Sequence, residues 1–177
     1  MNLQIESLPI GSLSAEDRML CEHAREVAGK AYAPYSGFAV GVAIRTSSGE
    51  TFAGANLENA SYGLSICAEV AALADANTHG AEDVQTIAVV GYKFAPQQDY
   101  SAVVTPCGRC RQLIWEASSR ARSDIKVICC NGDLSKVAVF TASELLPAAF
   151  DIAALRQFDE HPADPSRSLL MGRRRAS

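Results

Sequence analysis

The spacing of apolar residues changes several times along the chain, and each change predicts an element. Leu20, Ala24, Val27, Ala28 and Ala31 recur at helical spacing. Ser14 stands ahead of them as an N-cap, with Asp17 three residues on as a weaker form of the capping box. The Ala33-Pro34 step is expected to end this helix, because a residue before proline disfavours the α region. Phe38, Val40, Val42 and Ile44 then alternate, which predicts a half-buried strand. Ser47-Ser48-Gly49 turns the chain, and residues 51–57 return as the hairpin partner. A second, alanine-rich helix is expected over residues 67–77, and a β-branched strand over 86–90. A third helix should start near Cys107 and carry Gln112, Leu113, Ile114 and Trp115. Two more strands, 124–130 and 136–141, precede a helical turn over 141–146. The order α-ββ-α-β-α-β-β predicts an α/β layer fold with a mixed sheet.

Composition supports one folded unit. Of 177 residues, 48% are hydrophobic and 20% charged, enough apolar material for a core and too little charge for wholesale disorder. There is no internal repeat. We expect a folded domain over 1–156 and a weakly ordered C-terminal extension over 157–177, where Pro162, Pro165 and Arg173-Arg174-Arg175 fall. The net charge of −4 argues against a nucleic-acid partner, which would call for positive charge. No apolar run approaches the roughly 18 residues of a bilayer span. The N-terminus lacks the basic start and apolar stretch of a signal peptide, so a cytoplasmic location is expected, with no membrane partner.

Six cysteines change the picture: Cys21, Cys67, Cys107, Cys110, Cys129 and Cys130. An even count permits disulfides, but a cytoplasmic address argues against them. Adjacent Cys129 and Cys130 would bond only with strain. Cys107 and Cys110 form Cys-x-x-Cys, a spacing used for redox chemistry and for metal binding. Cys67-Ala68-Glu69 and Pro106-Cys107-Gly108-Arg109-Cys110 each put cysteines at an expected helix start. There the unpaired N–H groups and the dipole favour thiolates. Two such helix ends meeting would gather three thiolates, the number of protein ligands in a catalytic zinc site with one open position. A closed site would need a fourth ligand, and Cys21, Cys129, Cys130 and His79 are available. Glu69 lies too near Cys67 in sequence for easy co-ligation in a helical turn. A carboxylate beside a metal-bound water is a natural proton shuttle. Three Cys/His ligands, a non-ligand glutamate and a Pro-Cys-x-x-Cys segment describe zinc deaminases.

Five segments in order carry a closer resemblance. They are Ala33-Pro34-Tyr35-Ser36-Gly37-Phe38, then Gly54-Ala55-Asn56-Leu57-Glu58-Asn59-Ala60-Ser61-Tyr62, then Cys67-Ala68-Glu69. Pro106-Cys107-Gly108-Arg109-Cys110-Arg111-Gln112 and Glu144-Leu145-Leu146-Pro147 follow. From about Ala31 to about Leu155 the chain resembles the short, homotetrameric cytidine deaminases. The resemblance implies a three-layer α/β fold with a mixed five-stranded sheet and helices on both faces. It implies one Zn²⁺ per chain on Cys67, Cys107 and Cys110, with Glu69 moving protons. Asn56 and Glu58 would hold the ribose 3′-hydroxyl, Phe38 would pack against the pyrimidine, and the Ala68 backbone would contact the base. Tyr62 and Phe150 would line a neighbouring subunit's pocket in a homotetramer. Outside this pattern Phe38 would be an ordinary core residue, and Asn56 and Glu58 a solvated strand face.

Two positions depart from many family members: Val70 where arginine is common, and Arg109 where alanine is common. Three thiolates on Zn²⁺ leave a net charge of about −1, so Arg109 is expected to supply the missing cation. The expected activity is hydrolytic deamination of cytidine and 2′-deoxycytidine, a step of pyrimidine salvage. The Cys-Gly-Arg-Cys segment also occurs in blasticidin S deaminases, so another aminopyrimidine is the nearest alternative. A non-catalytic zinc module is the alternative from another class, and the presence of Glu69 disfavours it. The Asn56-x-Glu58-Asn59 segment resembles the nucleoside-specific version.

Overall fold

Alternation along the central strands divides their side chains between two cores, and this division organises the molecule. A computed structural model describes residues 5–151. The expected boundary after residue 156 and the 157–177 extension lie outside the described residues. The elements are β1 (Leu8–Pro9), α1 (Ala15–Ala28), β2 (Phe38–Thr46), β3 (Thr51–Ala55), α2 (Ala68–Thr78), β4 (Val84–Lys93), α3 (Gly108–Ala121), β5 (Lys126–Cys130), β6 (Lys136–Thr141) and α4 (Ala142–Leu145). The strands form one mixed sheet in the order β1-β6-β5-β4-β2-β3. Among the described residues only β4 and β5 pair as parallel strands, and the other strand pairs are antiparallel.

On one face Val42, Ile44, Ile87, Val89, Val127 and Cys129 pack with Ala68, Ala72 and Ala76 of α2 and Ile114 of α3. On the other, Ala43, Ala88, Val90, Ile128, Cys130 and Val137 pack with Leu20, Cys21 and Ala24 of α1. Cys129 and Cys130 therefore face opposite layers, as a period of two requires. All six cysteines are free thiols.

The expected elements are present, with corrections at their ends. The sheet has six strands rather than five. The sixth, β1, is two residues paired with β6 at Leu8↔Val137 and Pro9↔Lys136, too short to show a period, with its proline on an edge. Helix α1 is capped by Ser14, whose hydroxyl accepts the Asp17 N–H, but stops at Ala28 with Gly29 as its C-cap rather than running to Ala33. Strand β4 exceeds the expected 86–90 because Tyr92 and Lys93 continue pairing with Ala39 and Phe38. The turn after β6 carries a complete capping box between Thr141 and Glu144. No helix among the described residues is long and apolar enough to cross a membrane.

Both α2 and α3 lie in the same layer, so their cysteine-bearing first turns come together. Gly54 allows α2 to approach closely: a Cβ there would lie 2.4 Å from the Ala72 nitrogen. Small alanines along the buried face of α2 keep the gap narrow.

Candidate active site

Each of the two helices begins at a cysteine. Cys67 is the N-cap of α2, and its side chain makes no capping hydrogen bond. Cys107 stands in the same relation to α3, with Cys110 buried one turn on. The first N–H groups of both helices thus present their dipole ends near sulfur, where thiolate character is favoured. The Sγ atoms of Cys67, Cys107 and Cys110 all lie within 4.8 Å of one another, and Cys107 Sγ and Cys110 Sγ are 3.5 Å apart. Tetrahedral ligation at about 2.3 Å per sulfur puts sulfurs about 3.8 Å apart, so these three fit one zinc ion. The other cysteines are excluded from this group by the sheet or by its core. Burial pushes the Cys129 thiol up to about 12. The Cys130 thiol is raised first by its hydrogen bond with Cys21 and then by burial.

The thiols themselves are unequal. Burial raises Cys67 and Cys110. Burial acts on Cys107 too, but hydrogen bonds from the Cys110 backbone and side chain and from Cys67 outweigh it and leave this exposed thiol lowered. Glu69, in the first turn of α2, is only 4% exposed. Burial raises its carboxyl above the usual range, against smaller opposing hydrogen bonds from its own backbone and from Cys110. A buried carboxyl of raised affinity for protons stands beside the thiol cluster.

These groups open into a cleft of about 240 Å³ lined by Asn56, Glu58, Cys67, Ala68, Glu69 and Cys107, with Val40, Ser65, Ile66, Val104 and Thr105 as further walls. Asn56 and Glu58 lie just beyond β3, not inside a strand as expected. They still reach one side, because Leu57 between them bridges to Tyr32 and Ile66. Both ends of the Asn56 amide are fixed: Oδ1 accepts the Val40 N–H at 2.8 Å, and Nδ2 donates to Phe38 O at 3.0 Å. Glu58 Oε2 accepts the Tyr35 N–H at 2.9 Å and the Ser36 N–H at 3.2 Å. Phe38 is not a wall of the cleft but lies near one, Val104. A Cβ at Gly91 would meet Phe38 Cε1 at 3.1 Å and Val104 Cγ2 at 2.9 Å, so the two side chains lie together over that glycine.

The remaining expected residues lie elsewhere. Tyr62, 76% exposed, lines an adjoining hollow with Tyr35, Ser36, Glu58 and Ser65, its ring edge-on to Tyr35 at 6.0 Å. Phe150, 62% exposed, is held through its carbonyl by Gln112 Nε2 at 2.8 Å and takes no part in the walls of this chain's cleft. Arg109 is exposed and makes no hydrogen bond to any of the three thiols. The neighbour that is engaged is Arg111, which donates to Pro106 O at 2.8 Å. Val104, Thr105, Ser65 and Ile66 were not among the expected site residues. Their signal was position alone, immediately ahead of the cysteines that start the two helices.

Comparison with known proteins agrees with this geometry. The family described as "Cytidine and deoxycytidylate deaminase zinc-binding region" matches residues 14–123. A cytidine deaminase of Halalkalibacterium halodurans is 44% identical over 135 residues, covering 75% of this chain and 92% of that protein. A blasticidin-S deaminase of Bacillus cereus is 37% identical over 112 residues, covering 63% of this chain and 76% of that protein. The crystal structure of a cytidine deaminase from Burkholderia pseudomallei superposes with a TM-score of 0.66 at 38% identity, over 78% of this chain and all of that one.

Proposed function

Because the chain belongs to the cytidine and deoxycytidylate deaminase family, we propose that it hydrolyses cytidine and 2′-deoxycytidine to the corresponding uridines and ammonia. One observation carries the reading: three thiols that fit a zinc ion and a buried carboxyl open together into a cleft that bears a fixed amide and a fixed carboxylate. Cys67, Cys107 and Cys110 hold the zinc. When bound there, zinc acts as a Lewis acid and lowers the pKa of its water.

The chain's own residues do the rest. Glu69 takes a proton from the attacking water and delivers it to N3 of the pyrimidine as oxygen adds at C4. It then carries the remaining hydroxyl proton to the amino nitrogen, which leaves as ammonia. Burial suits Glu69 to this shuttling, since it raises the carboxyl's affinity for the proton it must receive before returning it. The Ala68 backbone borders the base, and Phe38 with Val104 offers it an apolar surface. Asn56 and Glu58 orient the sugar through its 3′-hydroxyl. Hydrogen bonds from the Ser36 hydroxyl and from the Tyr35 and Ser36 N–H groups hold the Glu58 carboxyl below its ordinary range, and a carboxylate there favours an uncharged nucleoside over a sugar carrying a phosphate near that end.

The working form we propose is a homotetramer. Tyr35 and Tyr62 are exposed in the hollow that adjoins the cleft, and exposed Leu57 pairs with the cleft-wall residue Ile66, apolar surface that a monomer would leave wet. Phe150 is exposed and is not a wall of its own cleft, and in the tetramer it would enter a neighbour's.

The test is an ultraviolet assay with cytidine, 2′-deoxycytidine and blasticidin S, with light scattering on the same sample. Turnover of the two nucleosides by a tetramer is expected. Turnover of blasticidin S alone would transfer the assignment to another aminopyrimidine, in line with Cys107-Gly108-Arg109-Cys110. No turnover by a zinc-loaded protein would leave a non-catalytic zinc module, and a fully active monomer would end the shared-site reading.

A further inference from the structure

We infer that Arg111 is a positioning residue for the segment that delivers Cys107, fastening it at once to α3, to the cleft wall and to the end of α4. Its guanidinium donates in three directions. Nε reaches Pro106 O at 2.8 Å, Nη2 reaches Thr105 Oγ1 at 3.3 Å, and Nη1 reaches Leu145 O at 3.2 Å. The Arg111 main chain adds a fourth tie, its N–H donating to Cys107 O at 2.9 Å. One residue thus grips Thr105, Pro106 and Cys107 itself.

This segment needs such a grip. Residues 103–106 belong to no helix or strand. Among the described residues their other hydrogen bond is a 3.3 Å one from the Val104 N–H to Cys130 O. Pro106 has no N–H to give, and its carbonyl, in a buried residue, needs a donor. Arg111 is that donor. Thr105 is itself a wall of the cleft, so the fork sets the cleft's width as well as the approach to Cys107. Leu145 ends α4, and five residues further stands Phe150. A planar fork can satisfy three acceptors lying in different directions, whereas an ammonium on a single flexible stem cannot hold all three in place. The charge alone is therefore not the point, and lysine should be a poor substitute.

This inference rests on the reading of Cys107 as a zinc ligand and of the cleft as the nucleoside site. The test uses the full-length, zinc-loaded protein and the variants Arg111→Lys, Arg111→Gln and Thr105→Val. Three quantities are read: the rate of zinc transfer to a chromogenic chelator, KM and kcat for cytidine separately, and the thermal midpoint. Both Arg111 variants should release zinc about 10–100-fold faster, the range found when a partner of a metal ligand is removed. Their KM should rise as well. Thr105→Val keeps the Pro106 and Leu145 ties, so it should raise KM while leaving zinc release unchanged. If Arg111→Gln does not fold, Arg111→Lys and Thr105→Val carry the test. Wild-type zinc release in Arg111→Lys would overturn the inference, since charge alone would then suffice. So would an unchanged KM in Thr105→Val together with unchanged release in both Arg111 variants. A wild-type protein that binds no zinc would defeat the underlying reading instead, and this inference with it.

Discussion

Glu58 Oε2 accepts the backbone N–H of Tyr35 at 2.9 Å across 23 positions of sequence. One carboxylate oxygen thus fuses two segments that the sequence offers as separate motifs. The Ser36 hydroxyl contributes most to holding this carboxyl below its ordinary range, and the Tyr35 and Ser36 N–H groups add to it. The Tyr35–Ser36 turn is thereby held in place, while Glu58 itself is a wall of the cleft.

Replacing Glu58 by glutamine keeps the shape and one acceptor oxygen. If that oxygen stays with Tyr35 and Ser36, the amide turns an NH₂ group toward the cleft where an acceptor stood. A hydrogen bond from substrate to an ionised group is lost, and KM for cytidine should rise about 10–100-fold with kcat little changed. Steady-state kinetics that show a fall in kcat alone would assign Glu58 a different role.

Glu69→Gln should lower kcat by about 10²–10⁴-fold, because an amide cannot carry the proton. Glu69 stands outside the thiol set, so metal analysis of the same sample should show zinc undiminished. Turnover close to wild type would remove Glu69 from the mechanism.

The cysteines should separate cleanly into two groups. Cys107→Ala should lose bound zinc, because Cys107 Sγ lies within 4.8 Å of both partners. Cys129→Ala should keep about one zinc per chain, as Cys129 packs in the sheet core among Val42, Val89 and Val127. Loss of zinc from the Cys129 variant alone would mean the ligand set has been misassigned.

The zinc cluster was legible in the sequence because Cys67 and Cys107 start helices and Cys110 lies in the first turn of the second, and a helix start has a local signature. Alternation at Phe38, Val40, Val42 and Ile44 pointed to one buried face of β2; that Ala43 on the other face is buried too, under α1, is not visible from the strand alone. What escaped were long-range ties. Nothing local to Glu58 points to Tyr35, and nothing local to Arg111 points to Leu145, 34 positions on. Arg109 drew attention as a residue changed from the family pattern, yet it is its neighbour Arg111 that the structure binds into the loop. Composition can register that a cation is present at a site, whereas which of two nearby arginines turns inward depends on the acceptors that the folded chain brings to it. Strand β1 escaped for a simpler reason, having two residues and no period.

Asp17 is almost fully buried in the first turn of α1. Its Oδ1 accepts from Arg45 Nη2 at 2.8 Å and its Oδ2 from Lys126 Nζ at 2.7 Å, so it pins α1 to β2 and β5. Burial by itself would raise this carboxyl, but the hydrogen bonds from Lys126 and Arg45 outweigh burial and leave it lowered. A carboxyl lowered by folding stabilises the fold above its unfolded value of about 3.9. That stability disappears as pH falls through the lower folded value. Asp17→Asn should therefore cost about 3 kcal/mol near pH 7, the range for removing one partner of a buried pair. The cost should be large because Arg45 Nη1 is already buried with no hydrogen-bond partner, and the guanidinium would keep only Thr86 Oγ1 at 3.3 Å. Lys126→Met should cost less, since the Lys126 side chain is 42% exposed and can turn to water. Urea midpoints of wild type and Asp17→Asn should converge as pH falls below about 4, because the wild type then loses the same charge. Acid also strips zinc, but α1 packs on the face away from α2 and α3, so that loss should shift both proteins alike. A gap between the two midpoints that stays constant from pH 7 to acid would show that Asp17 acts through packing and not through its charge.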